Sequence, residues 1–245
     1  MKSTVIRAVG FDLGETLVHY RDTPLSWEAL YPDALAAVAA RCGATPTAPQ
    51  FAAAENILRK YNSRITPRTR EVSADEILGA ILEAWSLAPA AQARAATEAF
   101  FNFFHQRLGA YPDAAPALAA LRGQRVPVGL LTDVPYGMPR DFVLRDLDSA
   151  GLAGRFDVVL TSVDVGARKP EPIGFLTLAR QLGVEPGSLL YVGNEPKDVA
   201  GARGAGAFAA FLDRRRSGEF HGQNFTLDSL ARVQELIRHV PQPAP

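Results

Sequence analysis

The sequence predicts an α/β fold, a Rossmann-like parallel sheet core that carries a small all-α insertion of four helices. Three observations predict it. Residues 5–11 form a short, largely apolar run that stops at Asp12 and a turn bearing Gly14, as a buried strand does when it delivers an acid to the carboxyl edge of a sheet. From about residue 24 to 108 the chain is Ala-rich, with helical periodicity and few strand signals. Beyond Gly109, strand-like and helix-like segments alternate, which implies a parallel sheet with helices on both faces.

In chain order, residues 5–11 make the first strand and four helices follow it at 26–41, 49–63, 75–87 and 90–108. Gly43 closes the first of these and Thr47 opens the second. Ser73 with Glu76 three residues on has the pattern of a capping box opening the third, and Gly109 follows the fourth. A helix at 113–123 then leads to a strand at 126–131 that ends in Thr132-Asp133. A helix at 140–150, a strand at 156–160, a helix at 172–182 and a strand at 188–192 come next, the last ending in Gly193-Asn194. A helix at 198–204, a strand at 207–212 and a closing helix at 228–239 complete the pattern, with a frayed tail at 241–245. The domain division expected is therefore 1–19 with 110–245 as the core, and 20–109 as a helical domain inserted in it.

Composition narrows the function. The 26 Lys+Arg balance 26 Asp+Glu, so no bulk field favours nucleic acid or an acidic membrane surface. No stretch approaches the roughly 18 apolar residues that span a bilayer, and Lys2 precedes only a short apolar run, unlike a signal peptide. A single cysteine, Cys42, excludes an internal disulfide framework and is expected as a small buried hydrophobe. The expectation is a cytoplasmic protein, monomer or homodimer, acting on a small molecule.

Strands of a parallel sheet share direction, so Asp12, Thr132-Asp133 and Asn194 with Asp198 converge on one crevice at the edge where such sheets bind ligands. Lys169 lies in the Gly166–Pro172 loop, whose prolines precede a helix start. Phosphoryl chemistry suits this set. A carboxylate nucleophile divides one hard hydrolysis into two easier steps, and the transferring group needs fixed donors and cations. Thr132 offers a hydroxyl and Lys169 a point charge. Two carboxylates facing a phosphate call for Mg²⁺, whose preference for oxygen suits Asp12 and Asp198.

These motifs resemble the haloacid dehalogenase superfamily of aspartate-nucleophile phosphatases, in order and over nearly the whole chain. The family's first motif, Asp-x-Asp-Gly-Thr/Val-Leu after hydrophobic residues, is similar to Phe11-Asp12-Leu13-Gly14-Glu15-Thr16-Leu17. Its second, a strand ending in Ser/Thr, matches Thr132, and its third, a Lys often followed by Pro, matches Lys169-Pro170. Its fourth, Gly-Asp-x-x-x-Asp, resembles Gly193-Asn194-Glu195-Pro196-Lys197-Asp198. The helical insertion resembles the family's four-helix cap. The resemblance implies Asp12 as nucleophile and metal ligand, with the Gly14 carbonyl, Asn194 and Asp198 completing the Mg²⁺ site. It implies phosphate held by Thr132 and the backbone at Asp133, and neutralised by Lys169. The substrate implied is a small phosphorylated metabolite.

Two positions depart from the pattern. Gly14 stands where most phosphatases of the family have a second Asp as general acid and base, a function worth roughly 10²–10⁴-fold. Glu15 is the nearest replacement and His19 a more distant one, although Glu15 is expected to point away from the site. Asn194 replaces the first acid of the fourth motif, which removes one charge from the metal site and is similar to the family's metal-free dehalogenases. A dehalogenase-like hydrolase and a degenerate, non-catalytic ligand-binding member are therefore the alternatives to a phosphatase.

Other features have plainer readings. Arg64, Arg68 and Arg70 are expected in a solvated loop, with a grip on an anionic substrate as the second option. Arg214-Arg215-Arg216 is expected in a solvated turn, since no stacking aromatics interleave it. Phe100, Phe101, Phe103 and Phe104 are expected to fill the cap core and its junction with the sheet domain, and Tyr20 and Trp27 to pack. Gly201-Ala202-Arg203-Gly204-Ala205-Gly206 follows a helix start and fails as a dinucleotide fingerprint.

Overall fold

The computed structural model describes residues 5–22, 24–105 and 108–238. The frayed tail expected at 241–245, the last residue of the closing helix, His239, and part of the fourth helix, 106–107, lie outside the described residues. Six parallel strands make the sheet: β1 (Ala8–Phe11), β4 (Val128–Thr132), β5 (Val158–Thr161), β6 (Leu189–Gly193), β7 (Phe208–Leu212) and β8 (Phe225–Leu227). Their order is β5-β4-β1-β6-β7-β8. The chain builds outward from β1 on one side, then returns to build on the other. That reversal between β1 and β6 opens a crevice at the carboxyl ends of the strands, where ligands bind in folds of this kind.

Strand residues alternate between two apolar layers. Val9, Phe11, Leu130, Leu190 and Val192 face α5 (Ala114–Gly123), α6 (Arg140–Ser149) and α10 (Val233–Arg238). Ala8, Leu131, Leu189 and Tyr191 face α8 (Ile173–Gln181) and α9 (Pro196–Gly204). Gly10 is required by this second layer, because a Cβ there would lie 2.7 Å from the Leu178 side chain and 2.9 Å from the Tyr191 ring.

Between β1 and α5 the chain makes a short antiparallel pair, β2 (Val18–Tyr20) with β3 (Leu108–Ala110), and sends four helices out from it. These are α1 (Tyr31–Cys42), α2 (Ala48–Tyr61), α3 (Ala74–Ala84) and α4 (Pro89–His105), with a 3₁₀ turn at Trp27–Leu30 before α1. Leu108, expected as the end of the fourth helix, instead pairs with Tyr20 in the two-stranded root. Gly43 takes the left-handed conformation at φ 65° that closes α1. Ser73 caps α3 by accepting from Glu76 N at 3.2 Å, while the Glu76 carboxylate accepts from Tyr61 OH at 3.1 Å.

One apolar cluster runs unbroken from the sheet into the four helices. Trp27 stacks on Phe104 at 3.7 Å, Phe100 meets Tyr136 edge-on at 5.4 Å, and Phe101 contacts Phe142 of α6. The phenylalanines of α4 thus fill both the bundle and its junction with the sheet, as expected. Cys42 is buried, and no helix among the described residues is long and apolar enough to cross a membrane.

Candidate active site

Register alone brings the polar strand ends together. Phe11 lies opposite Leu130 of β4 and Val192 of β6, so Asp12 is level with Leu131 and Gly193, and Thr132 and Asn194 are set close to it. Asp12 N donates to Val192 O at 2.9 Å, which fixes the residue as the strand ends. Lys169 arrives from the loop between α7 (Ser162–Val165) and α8. Its Nζ donates to Asp12 Oδ1 and Asp198 Oδ1, both at 2.6 Å, and to Tyr191 OH at 3.1 Å. All three ammonium hydrogens are thereby used.

The electrostatics follow from burial. Asp12 is 6% exposed and Asp198 only 1%. Desolvation pushes the Asp12 carboxyl up to about 6; Lys169 opposes the rise and Asp198 adds to it. Burial alone would pull the Lys169 ammonium down, but Asp12 and Asp198 outweigh it and hold its pKa well above the usual lysine value. Asp133 accepts from Lys169 N at 3.0 Å and lies 3.0 Å from Lys197 Nζ. Burial raises its pKa, yet Lys169, Lys197 and Arg168 outweigh that and leave it below the ordinary aspartate range.

Asp198 is placed by α9. Its Oδ2 accepts from Glu195 N at 2.9 Å while Oδ1 takes Lys169. The fit is tight, since a Cβ on Gly193 would lie 2.4 Å from Asp198 Cγ. Gly193→Ala is accordingly expected to drive Asp198 off Lys169. A displacement of about 1 Å can cost on the order of 10²-fold in rate, so kcat should fall by about that factor. Circular dichroism and steady-state rates check this together; an unimpaired kcat in a folded variant would show that Asp198 is not held by this contact.

The described pocket of about 150 Å³ joins the strand ends to the helical insertion. Asp12, Gly14, Thr132, Asp133 and Asn194 line it from the sheet side, and Trp27, Asn62 and Arg64 from the insertion. Asp198 lies one layer behind, against Lys169. Glu15 reaches the wall, but its Oε2 accepts from Tyr111 OH at 2.7 Å. The His19 ring packs on Tyr111 instead of facing Asp12. Asn194 Oδ1 accepts from Thr16 Oγ1 at 2.9 Å, which leaves a lone pair of the amide oxygen for a ligand.

Several residues near the site were not foreseen from sequence. Tyr191 is one, a hydroxyl in a fully buried strand; it donates to Leu131 O at 2.6 Å and accepts from Lys169. A tyrosine within an otherwise aliphatic central strand is itself the signal, because its OH requires a partner there. Arg168 is another. It is buried against Glu71 of the insertion and donates to Val134 O at 2.8 Å, while Ser162 Oγ donates to the same Glu71 carboxylate. Backbone bonds from Arg168 N to Thr69 O (2.7 Å) and from Glu71 N to Gly166 O (3.2 Å) tie the insertion to the loop that carries Lys169.

The expected solvated loops divide. Arg70 is exposed, but Arg68 is half-buried on Tyr61 O and Glu71, and Arg64 lines the cavity. Arg214 departs from the expected solvated turn: it pairs with Asp113 at 2.9 Å and lies 4.0 Å over the Tyr111 ring.

Residues 6–206 match the family model described as haloacid dehalogenase-like hydrolase. A phosphoserine phosphatase of Thermus thermophilus is 41% identical over 124 residues, which make up 50% of this chain and 48% of that protein. The chain thus spans about half the length of this relative. A phosphatase of the same family from Thermococcus onnurineus shares the fold at a TM-score of 0.64 and 25% identity, covering 97% of this chain and 100% of that one. A 2-haloacid dehalogenase from Pseudomonas syringae gives a TM-score of 0.65 at 24% identity, covering 96% and 99%, a likeness of fold alone.

Proposed function

The chain belongs to the haloacid dehalogenase-like hydrolases, and from that membership we propose that it is a phosphatase of a small phosphorylated metabolite working through a phosphorylated Asp12. The observation that carries the proposal is the Lys169 ammonium, hydrogen-bonded at 2.6 Å to each of two buried carboxylates at the crevice. The relative named as a phosphoserine phosphatase supports the choice of phosphoryl over other transfers.

In this reading residues 1–19 with 110–245 form the core and 20–109 a cap over the cavity. An Asp12 carboxylate oxygen attacks phosphorus, and the bond from phosphorus to the leaving oxygen breaks. Water then attacks the same phosphorus, the bond to Asp12 breaks, and the free carboxylate and inorganic phosphate are restored. The Thr132 hydroxyl and the Asp133 backbone N–H hold the phosphoryl oxygens. Lys169 keeps the buried Asp12 ionised against its desolvation and offsets charge on the transferring group.

The donors fit Mg²⁺. Among the described residues no group of three or more His, Cys, Asp or Glu forms a ready cage. The oxygens present are two carboxylates, Asp12 and Asp198, the Asn194 amide oxygen and the Gly14 carbonyl. One or two carboxylates with retained water is how Mg²⁺ is commonly bound. Asp12, Gly14 and Asn194, which line the pocket, would hold the ion, with Asp198 behind them adding the second negative charge; when bound it would supply positive charge to offset that of the phosphate.

Gly14 makes a finer expectation. Without an acid there the leaving oxygen draws its proton from solvent, so aryl phosphates should outrun alkyl phosphates. A Cβ on Gly14 meets nothing within 4 Å, so the backbone there admits a side chain. Gly14→Asp should raise kcat/KM on alkyl phosphates by roughly 10²-fold or more, the range of positioned acid catalysis, and do less for aryl phosphates. An unchanged aryl-to-alkyl ratio would mean that another group already donates the proton.

Dehalogenation is the second reading, favoured by Asn194. Against it stands the relative named as a phosphoserine phosphatase, 41% identical over 124 residues, whereas the 2-haloacid dehalogenase shares the fold alone. Chloride release from a 2-chloroacid panel, with no phosphate release from aryl phosphates, would favour it.

A further inference from the structure

The cavity that Asp12 lines also holds an ion pair between the insertion and the core. Asn62 is buried and donates to Ser26 Oγ at 3.0 Å and Tyr31 OH at 2.8 Å. Its own oxygens organise the turn that follows α2: Oδ1 accepts from Arg64 N at 2.9 Å, and its carbonyl accepts from Ile65 N and Thr66 N. Arg64 is therefore presented from a rigid turn, and its guanidinium binds the Glu195 carboxylate. From the core side Lys197 Nζ lies 3.0 Å from Glu195 Oε2 and 3.0 Å from Asp133 Oδ2. Two cations, one from the insertion and one from the core, thus converge on a single carboxylate beside Asn194.

The Arg64 side chain is 40% exposed. The Glu195 side chain is less accessible, at 18%, and holds both cations, so an incoming anion must take up Arg64 and Lys197 together to offset its loss. An arginine fork also recognises a carboxylate by two parallel hydrogen bonds, which gives geometric selectivity that a lone ammonium lacks. Arg64 and Lys197 line the same cavity as Asp12. Given the phosphatase reading above, on which this rests, we propose that Arg64, with Lys197, is a specificity site for a second anionic group on the substrate. Glu195 occupies that site until the substrate's anion, a carboxylate a few atoms from the phosphoryl group, displaces it.

The test compares 4-carboxyphenyl phosphate with phenyl phosphate in wild-type protein and in Arg64→Gln, with Mg²⁺ present. The expected result is a kcat/KM loss at least tenfold greater on the carboxylated ester than on phenyl phosphate, carried mainly by KM. Glu195→Gln should lower KM for the carboxylated ester and not for the other. Equal losses on the two esters, or none on the carboxylated one, overturn the proposal, since Arg64 would then serve the phosphoryl group or the fold. If wild-type protein hydrolyses neither ester, the phosphatase reading fails. Calorimetric binding of the same two esters to wild type and Arg64→Gln then decides the anion site by the same ratio.

Discussion

Asp12→Asn is expected to lower turnover of an aryl phosphate by roughly 10⁴-fold or more, the scale on which removal of a covalent nucleophile is felt. The amide keeps the size and shape of the side chain but has no charged oxygen to offer phosphorus. It should also leave the fold intact. Desolvation lifts the wild-type carboxyl to about 6, above its unfolded value of 3.8. A buried acid shifted in that direction favours the folded state only while protonated, so its ionised form costs stability as pH rises through that window. A neutral amide removes the cost. In chelator at pH 8 the variant should melt at or above the wild-type temperature, and thermal melts beside initial rates check both halves. Turnover that survives in a folded Asp12→Asn protein would dismiss Asp12 as nucleophile.

Lys169→Met has the second large effect, on stability as well as rate. Methionine fills a similar volume but leaves Asp12 and Asp198 buried together without the ammonium that bonds both at 2.6 Å. Breaking a buried pair by removing one partner typically costs about 3–5 kcal/mol, and that loss is expected here near neutral pH in chelator. The sign of the pH dependence follows. Without Lys169 the folded-state Asp12 carboxyl rises further above its unfolded value, so the variant regains stability as pH falls and Asp12 takes up a proton. Denaturant melts from pH 8 to pH 5 should therefore converge on wild type from below. Parallel curves would mean that Lys169 does not carry this charge balance. Adding Asp12→Asn to Lys169→Met should recover part of the loss, because the two side chains share one interaction.

Much of the sheet is legible in the sequence because β1, β4, β6 and β7 are apolar runs bounded by turn residues. Strands β2, β3 and β8 are three residues each, too short to show a period, and their pairing comes from tertiary context. Asp12 and Thr132 can be picked out because each ends a strand, Asp198 because it opens a helix, and Lys169 because its loop carries prolines just before one. The geometry then brings Asp12, Lys169 and Asp198 into direct contact. Arg64 and Arg168 are not legible in this way. A basic residue in a polar loop reads as solvated unless its partner is known, and the partners here lie 131 and 97 residues away. Glu15 shows the same limit, since only the fold reveals that Tyr111 holds it.

The most direct test of the central claim is to trap the phosphorylated carboxylate. Protein quenched with acid during turnover, reduced with borohydride and digested should yield a peptide in which Asp12 has become homoserine, the product of reducing an aspartyl phosphate. That conversion at Asp12, lost on omitting substrate, is the result predicted. Conversion at another aspartate, or at none while phosphate is still released, would contradict the account.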